Sequence, residues 1–187
     1  KRQVIDAGHG SRMSGATKNG IQEKDINLDI VLQLKALFDA YDGNIGVYYT
    51  RTDDSNPTLQ QRAELANKAG ADLFISVHNN SSGTGNFTSV NGTQVLYSES
   101  DDRELGSKKL AQICLDNVTA ATGSNDFGLL KADDIYIVRS SEAPVALIEV
   151  GFMTNRDELA KLADPEYQKT AAQGIFNAVL EAVKEGY

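Results

Sequence analysis

The 187-residue chain contains one cysteine, two histidines, three prolines and no tryptophan. A single cysteine, Cys114, excludes an internal disulfide framework. It falls in a helical pattern with Ala111, Leu115 and Val118, the setting of a small buried apolar residue and not of a nucleophile. No apolar run approaches the roughly 20 residues of a membrane helix. Basic side chains are in deficit, 18 against 26 acidic ones, for a net charge of −8. That balance excludes a broad basic surface for nucleic acid or anionic membranes. There is no Gly-rich phosphate loop and no Gly-x-Ser-x-Gly turn for a serine nucleophile. An initiating methionine and a signal peptide are also lacking, so residues 1–187 are expected to be one domain excised from a longer chain. The length suits one domain with a sizeable core.

Short β-rich runs alternate with longer amphipathic ones. Strands are expected at Gln3–Asp6, Ile45–Tyr49, Leu73–His78, Thr93–Tyr97, Ile135–Val138 and Val145–Val150. Leu28, Val31, Leu34 and Phe38 recur at helical spacing and predict a helix over 24–40. Thr58 with Gln61 forms a capping box for a helix reaching Ala69. Asp101 with Glu104 is expected to open another, reaching Ala121. Asp164 followed by Pro165 starts the last helix, to about Val183. This alternation predicts an α/β fold, with a mostly parallel six-stranded sheet covered by helices on both faces. Val145–Ile148 has no polar alternation, as expected of a central strand.

Both histidines stand where a strand runs out. His9 lies in Asp6-Ala7-Gly8-His9-Gly10, with glycines that permit a sharp turn. His78 lies in Phe74-Ile75-Ser76-Val77-His78-Asn79-Asn80, on the same strand face as Ser76 and Asn80. Glu23 opens the first helix, where an acid also favours the helix dipole without any chemistry. Glu149 ends an aliphatic run, and a buried lone carboxylate must be paired, metal-bound or protonated. Two imidazoles and one carboxylate form a catalytic zinc set with an open fourth position, and a second carboxylate can serve as the base. Arg51 and Arg62 are expected to anchor loops or form structural ion pairs, and Asp53, Asp54, Asp133 and Asp134 to occupy solvated turns.

At these residues the chain resembles the zinc-dependent N-acetylmuramoyl-L-alanine amidases of the Amidase_3 family. The likeness runs nearly end to end, through Ile5-Asp6-Ala7-Gly8-His9-Gly10, Glu23-Lys24-Asp25-Ile26-Asn27-Leu28, Thr50-Arg51, Arg62-Ala63-Glu64-Leu65-Ala66-Asn67, Ala71 to Asn80, and Pro144 to Asn155. It implies one Zn2+ per chain on His9, Glu23 and His78, Glu149 as the catalytic glutamate, and peptidoglycan as substrate. Asn80 is the candidate substrate contact. Ala7 stands where proline is frequent and Ser11 where a second glycine is frequent, which touches loop shape only. Some members insert an autoinhibitory helix before the last strand; the short stretch from Asp126 to Glu142 implies an open cleft here.

The expected reaction is hydrolysis of the amide between N-acetylmuramic acid and L-alanine, in cell-wall lysis or remodelling as by an autolysin. Two other readings compete: a zinc peptidase cutting within the stem peptide, and a non-catalytic peptidoglycan-binding module. The substrate implies an extracellular or cell-wall location in a bacterium. A monomer is expected, with any wall-binding module or activator lying elsewhere.

Overall fold

A computed structural model describes residues 1–187. In chain order the elements are β1 (Arg2–Ala7), β2 (Thr17–Lys18), β3 (Ile21–Gln22), α1 (Glu23–Ala40), β4 (Gly46–Tyr49), α2 (Leu59–Ala69), β5 (Leu73–Asn80), β6 (Thr93–Tyr97), α3 (Ser107–Thr122), β7 (Asp126–Lys131), α4 (Tyr136–Ser140), β8 (Val145–Phe152), α5 (Arg156–Leu162) and α6 (Pro165–Glu185). Six strands form one sheet in the order β4-β1-β5-β8-β6-β7, and β2 and β3 make a separate small hairpin. β4, β1, β5 and β8 run parallel. β6 lies antiparallel to β8, and β7 follows β6 in parallel. No helix is long and apolar enough to cross a membrane.

The residue pattern explains the layering. β5 and β8 read as near-continuous apolar runs because both of their faces are covered. Ile5, Ile75, Val77, Ile148 and Val150 point into a large core built with α1, α3 and α6. Val4, Phe74, Val145 and Leu147 point the other way, into a smaller core under α2 and α4. The expected capping box is present: Thr58 Oγ1 accepts from the Gln61 amide at 3.1 Å, and Gln61 Oε1 accepts from the Thr58 amide at 2.8 Å. Asp164 likewise caps α6 ahead of Pro165.

Two expectations are overturned. Ile135–Val138 is not a strand: Tyr136–Ser140 form helix α4, and the sixth strand is Asp126–Lys131. A run of β-branched residues favours extended backbone only weakly against tertiary context. Here Ile137 and Val138 gain burial as part of a helical turn against the smaller core. The helix expected at Asp101 begins at Ser107, with Gly106 as its cap. Asp101 still serves that helix end, accepting from the Ser107 amide and hydroxyl, both at 2.8 Å, from a turn outside it. Helix α5, capped by Asn155 accepting from the Glu158 amide, has no counterpart in the sequence reading.

Ile148 is fully buried in the central strand. Ile148→Ala is expected to lower unfolding free energy by about 2–5 kcal/mol in urea titration. A loss below about 1 kcal/mol would mean that the two helical layers do not depend on β8 as described.

Candidate metal centre

The carboxyl ends of β1, β5 and β8 meet at one edge of the sheet, where ligands of parallel α/β sheets gather. Beyond β1 the backbone enters the left-handed region, with φ 63° at His9 and 49° at Ser11. Non-glycine residues adopt this region at a cost and need surrounding structure to hold them there. Two buried arginines supply it. Arg62 donates to the carbonyls of Ala7 at 2.7 Å and His9 at 2.8 Å. Arg51 donates to Ala7 O at 2.9 Å and Gly8 O at 3.0 Å.

Arg62 is itself fixed by an ion pair with Asp6 at 2.7 Å, both side chains being almost fully buried. Asp6 also accepts from Thr50 Oγ1 and Ser76 Oγ, both at 2.6 Å. Burial opposes ionisation of Asp6, but the Arg62 charge and these hydroxyls outweigh it and hold the carboxyl below its usual range. The structural role expected of both arginines is the one they play. Ser11 occupies the frequent second-glycine position in a backbone shape glycine would take freely; its amide is tied to Asp54 Oδ1 at 3.0 Å.

Glu23, the first residue of α1, is buried at the centre of the group. Its Oε2 lies 3.2 Å from His9 Nε2 and 3.2 Å from His78 Nδ1. The same oxygen accepts from the Asn79 amide at 3.1 Å and from Asn27 Nδ2 at 3.2 Å, while Oε1 accepts from the Ala16 amide at 3.0 Å. Burial works against the charge, yet the two histidines hold the carboxyl well below the carboxylate range. Gly8 makes room for His78: a Cβ there would stand 2.2 Å from its ring.

One ligand atom from each of His9, Glu23 and His78 fits within a span of 4.8 Å. Two ligands bound at about 2.0–2.1 Å to a tetrahedral ion lie roughly 3.3 Å apart, close to the separations of Glu23 Oε2 from each imidazole nitrogen. The donor set and its spacing therefore fit zinc.

Glu149 is the strand-register partner of His78, so both side chains rise from the same face of the sheet. Its Oε2 is buried without a hydrogen-bond partner. Burial pushes its pKa up to about 7; His78 pulls it down and Glu23 adds to the rise. A carboxyl poised there can exchange a proton near neutral pH.

Asn80 lies beyond a register irregularity that follows His78. Its amide donates to Gln94 Oε1 at 3.2 Å and accepts from the Ser81 amide at 2.9 Å. Asp126–Glu142 is taken up by β7 and α4, and the His9 side chain stays 30 % exposed. The sequence reading missed Asn27 and Asn79 as supports of Glu23, although Asn27, four residues along α1, shares its helix face.

Residues 4–181 match the family described as Amidase_3, N-acetylmuramoyl-L-alanine amidase. The uncharacterized protein YqiI of Bacillus subtilis (strain 168) is 36 % identical over 179 residues, covering 96 % of this chain and 83 % of YqiI. N-acetylmuramoyl-L-alanine amidase LytC of the same organism is 35 % identical over 176 residues, covering 94 % of this chain. The chain spans 34 % of LytC. The solved catalytic domain of CwlV, an N-acetylmuramoyl-L-alanine amidase from Bacillus (Paenibacillus) polymyxa var. colistinus, superposes with a TM-score of 0.89 at 34 % identity, covering 98 % of each chain.

Two outcomes follow from this geometry. Arg62→Met strands the Asp6 charge and is expected to cost about 3–5 kcal/mol of stability near neutral pH. Because the native Asp6 pKa is depressed, its contribution is present above the unfolded pKa and lost as pH falls through the folded one. The deficit of the variant should therefore narrow below roughly pH 4 in denaturation series; a deficit constant with pH would contradict the ion-pair account. Gly8→Ala should displace His78 and weaken zinc affinity in chelator competition, by roughly tenfold or more on the scale of disturbed ligand supports.

Proposed function

The chain belongs to the Amidase_3 family of N-acetylmuramoyl-L-alanine amidases, and from that membership we propose how it acts: it hydrolyses the amide between N-acetylmuramic acid and the L-alanine of the stem peptide in peptidoglycan. His9, Glu23 and His78 are the zinc ligands and Glu149 the catalytic glutamate in this reading. The observation that carries it is the buried, unpartnered Glu149 carboxyl beside that donor set. A buried lone acid is costly unless it has work at the site, and proton transfer is such work.

Zinc, when bound, would supply a Lewis acid that polarises the scissile carbonyl and brings the pKa of water to about 7. Glu149 takes a proton from the attacking water as its oxygen adds to the lactyl carbonyl carbon. The same carboxyl then gives that proton to the alanine nitrogen as the C–N bond breaks. Burial, which works against its charged form, suits this carboxyl to both taking and returning a proton. Asn27 and Asn79 keep Glu23 turned toward the imidazoles, and Arg51 and Arg62 keep the His9 turn in place. Asn80, two residues past His78, is assigned to contact substrate.

Residues 1–187 act in this proposal as one monomeric catalytic domain. The substrate puts the reaction outside the membrane, at a bacterial cell wall. Any wall-binding module or activating partner lies outside the residues described.

Peptidoglycan digested by the zinc-loaded chain should release intact stem peptides that begin with free L-alanine, and a chelator should abolish the release, read by mass spectrometry. Cleavage inside the stem would replace the amidase reading by a peptidase. Glu149→Gln should bind zinc normally yet lose turnover by roughly 10²-fold or more. His78→Ala should lose zinc affinity itself. Full activity in Glu149→Gln would refute the assignment of the base.

A further inference from the structure

Resting on the amidase reading, we propose that substrate crosses this site in one direction: the uncharged glycan enters a cavity beside α2, and the acidic peptide runs over Phe87 toward Lys18 and Arg156. The two flanks of the metal centre differ in chemistry and lie on opposite faces of the sheet.

On the α2 side a cavity of about 360 Å³ is lined by His9 and His78 together with Met13, Leu59 and Ile137. That volume is at the lower end of small-ligand sites, enough for a single sugar ring. Met13 and Leu59 are 58 % and 54 % exposed, although they are large and apolar. They come from the loop after β1 and the first residue of α2, more than forty residues apart in sequence, and converge beside His9 and His78. The only Asp, Glu, Lys or Arg side chains on the cavity wall, Asp6 and Arg62, neutralise each other at 2.7 Å and are nearly inaccessible. Away from the metal ligands, the cavity wall carries no unpaired charged side chain. Apolar side chains around a neutral wall fit the apolar faces and uncharged edges of a sugar.

The other flank gathers two cations on one ring, with Asp157 the one acid lining the cleft beside it. Phe87, in the loop between β5 and β6, packs against the large core on the opposite face of the sheet. Lys18 Nζ stands 4.3 Å from its ring centroid and the Arg156 guanidinium carbon 3.9 Å from it. Lys18 donates to the Gly85 carbonyl at 2.7 Å, and neither cation takes part in an ion pair. Two like charges gathered on one ring in a chain of net charge −8 repel each other, and an incoming carboxylate relieves that repulsion. The stack is tied to the site at both ends. Lys18 lies on the hairpin that leads into Glu23, and the Phe87 loop leaves β5 just after His78 and Asn80. Its far side is pinned beyond Glu149, where the Thr88 amide donates to Thr154 O at 2.8 Å. A chain carrying free carboxylates and leaving the centre on this side meets both cations.

The test uses two muramoyl peptides of identical sequence, one with free carboxylates and one with them amidated, titrated calorimetrically into the zinc-loaded Glu149→Gln chain. The acidic form should bind about fivefold more tightly, as expected of two exposed ion pairs. Lys18→Ala with Arg156→Ala should abolish that difference, and Lys18→Arg with Arg156→Lys should keep it. Met13→Ala with Leu59→Ala should weaken both muramoyl peptides equally while leaving the affinity of the free peptide, without its sugar, unchanged. Equal affinity for the two forms, a preference that outlasts both cations, or weaker binding of the sugar-free peptide to the Met13/Leu59 variant would overturn the orientation. Failure of the unaltered chain to hydrolyse either peptide would refute the amidase reading instead, and the binding comparison would still score the direction.

Discussion

The buried pair of Asp6 and Arg62 is the interaction on which the site depends. It joins the central sheet to α2, and the same guanidinium donates to the Ala7 and His9 carbonyls that shape the His9 turn and to Pro57 O and Asn56 Oδ1 ahead of α2. Without those donors, the left-handed backbone that aims His9 at Glu23 would have no compensation for its strain. Arg51 repeats the arrangement from the other side, and through Lys24 O it also reaches the first turn of α1, next to Glu23. One electrostatic frame thus sets the relative positions of His9 and Glu23, two of the three proposed zinc ligands, and Ser76 carries the frame into the strand of the third, His78.

Glu149 illustrates a different use of burial. Every other buried carboxylate near the centre has several donors: Asp6 has three side-chain partners, and Glu23 is surrounded by amides and imidazoles. Glu149 Oε2 has none, and burial, with the Glu23 charge adding to it, raises its pKa toward neutrality. The two glutamates stand close to the same histidine and are driven in opposite directions, as the proposed roles of zinc ligand and proton carrier require.

Much of this was legible in the chain because it lies in local pattern. The aliphatic runs of β5 and β8, the reciprocal cap at Thr58 and Gln61, and histidines at strand ends all declare themselves within a few residues. What escaped the sequence depends on distant partners. Ile135–Val138 has the composition of a strand, but β6 is paired by Asp126–Lys131 instead, a segment interrupted by Gly128 and poor in apolar alternation. Asp101 reads as a cap and acts as one, though for a helix end six residues on that comes to it through a turn. Asn79 looks like a mere neighbour of His78, and only the fold brings its amide to Glu23.

The reversal of β6 relative to β8 has a consequence for change over time. The three strands that lead to His9, His78 and Glu149 run the same way, so their carboxyl ends are locked together. The antiparallel neighbour instead presents its amino end at that edge, and the segment from Ser81 to Gly92 enters from there, held by the Thr88 amide on Thr154 O and the Gly92 amide on Glu158 Oε1. Its length and composition can drift without shifting any strand that carries the chemistry. A change in that segment's length falls outside the three parallel strands, and loops in general tolerate insertions better than the elements they connect.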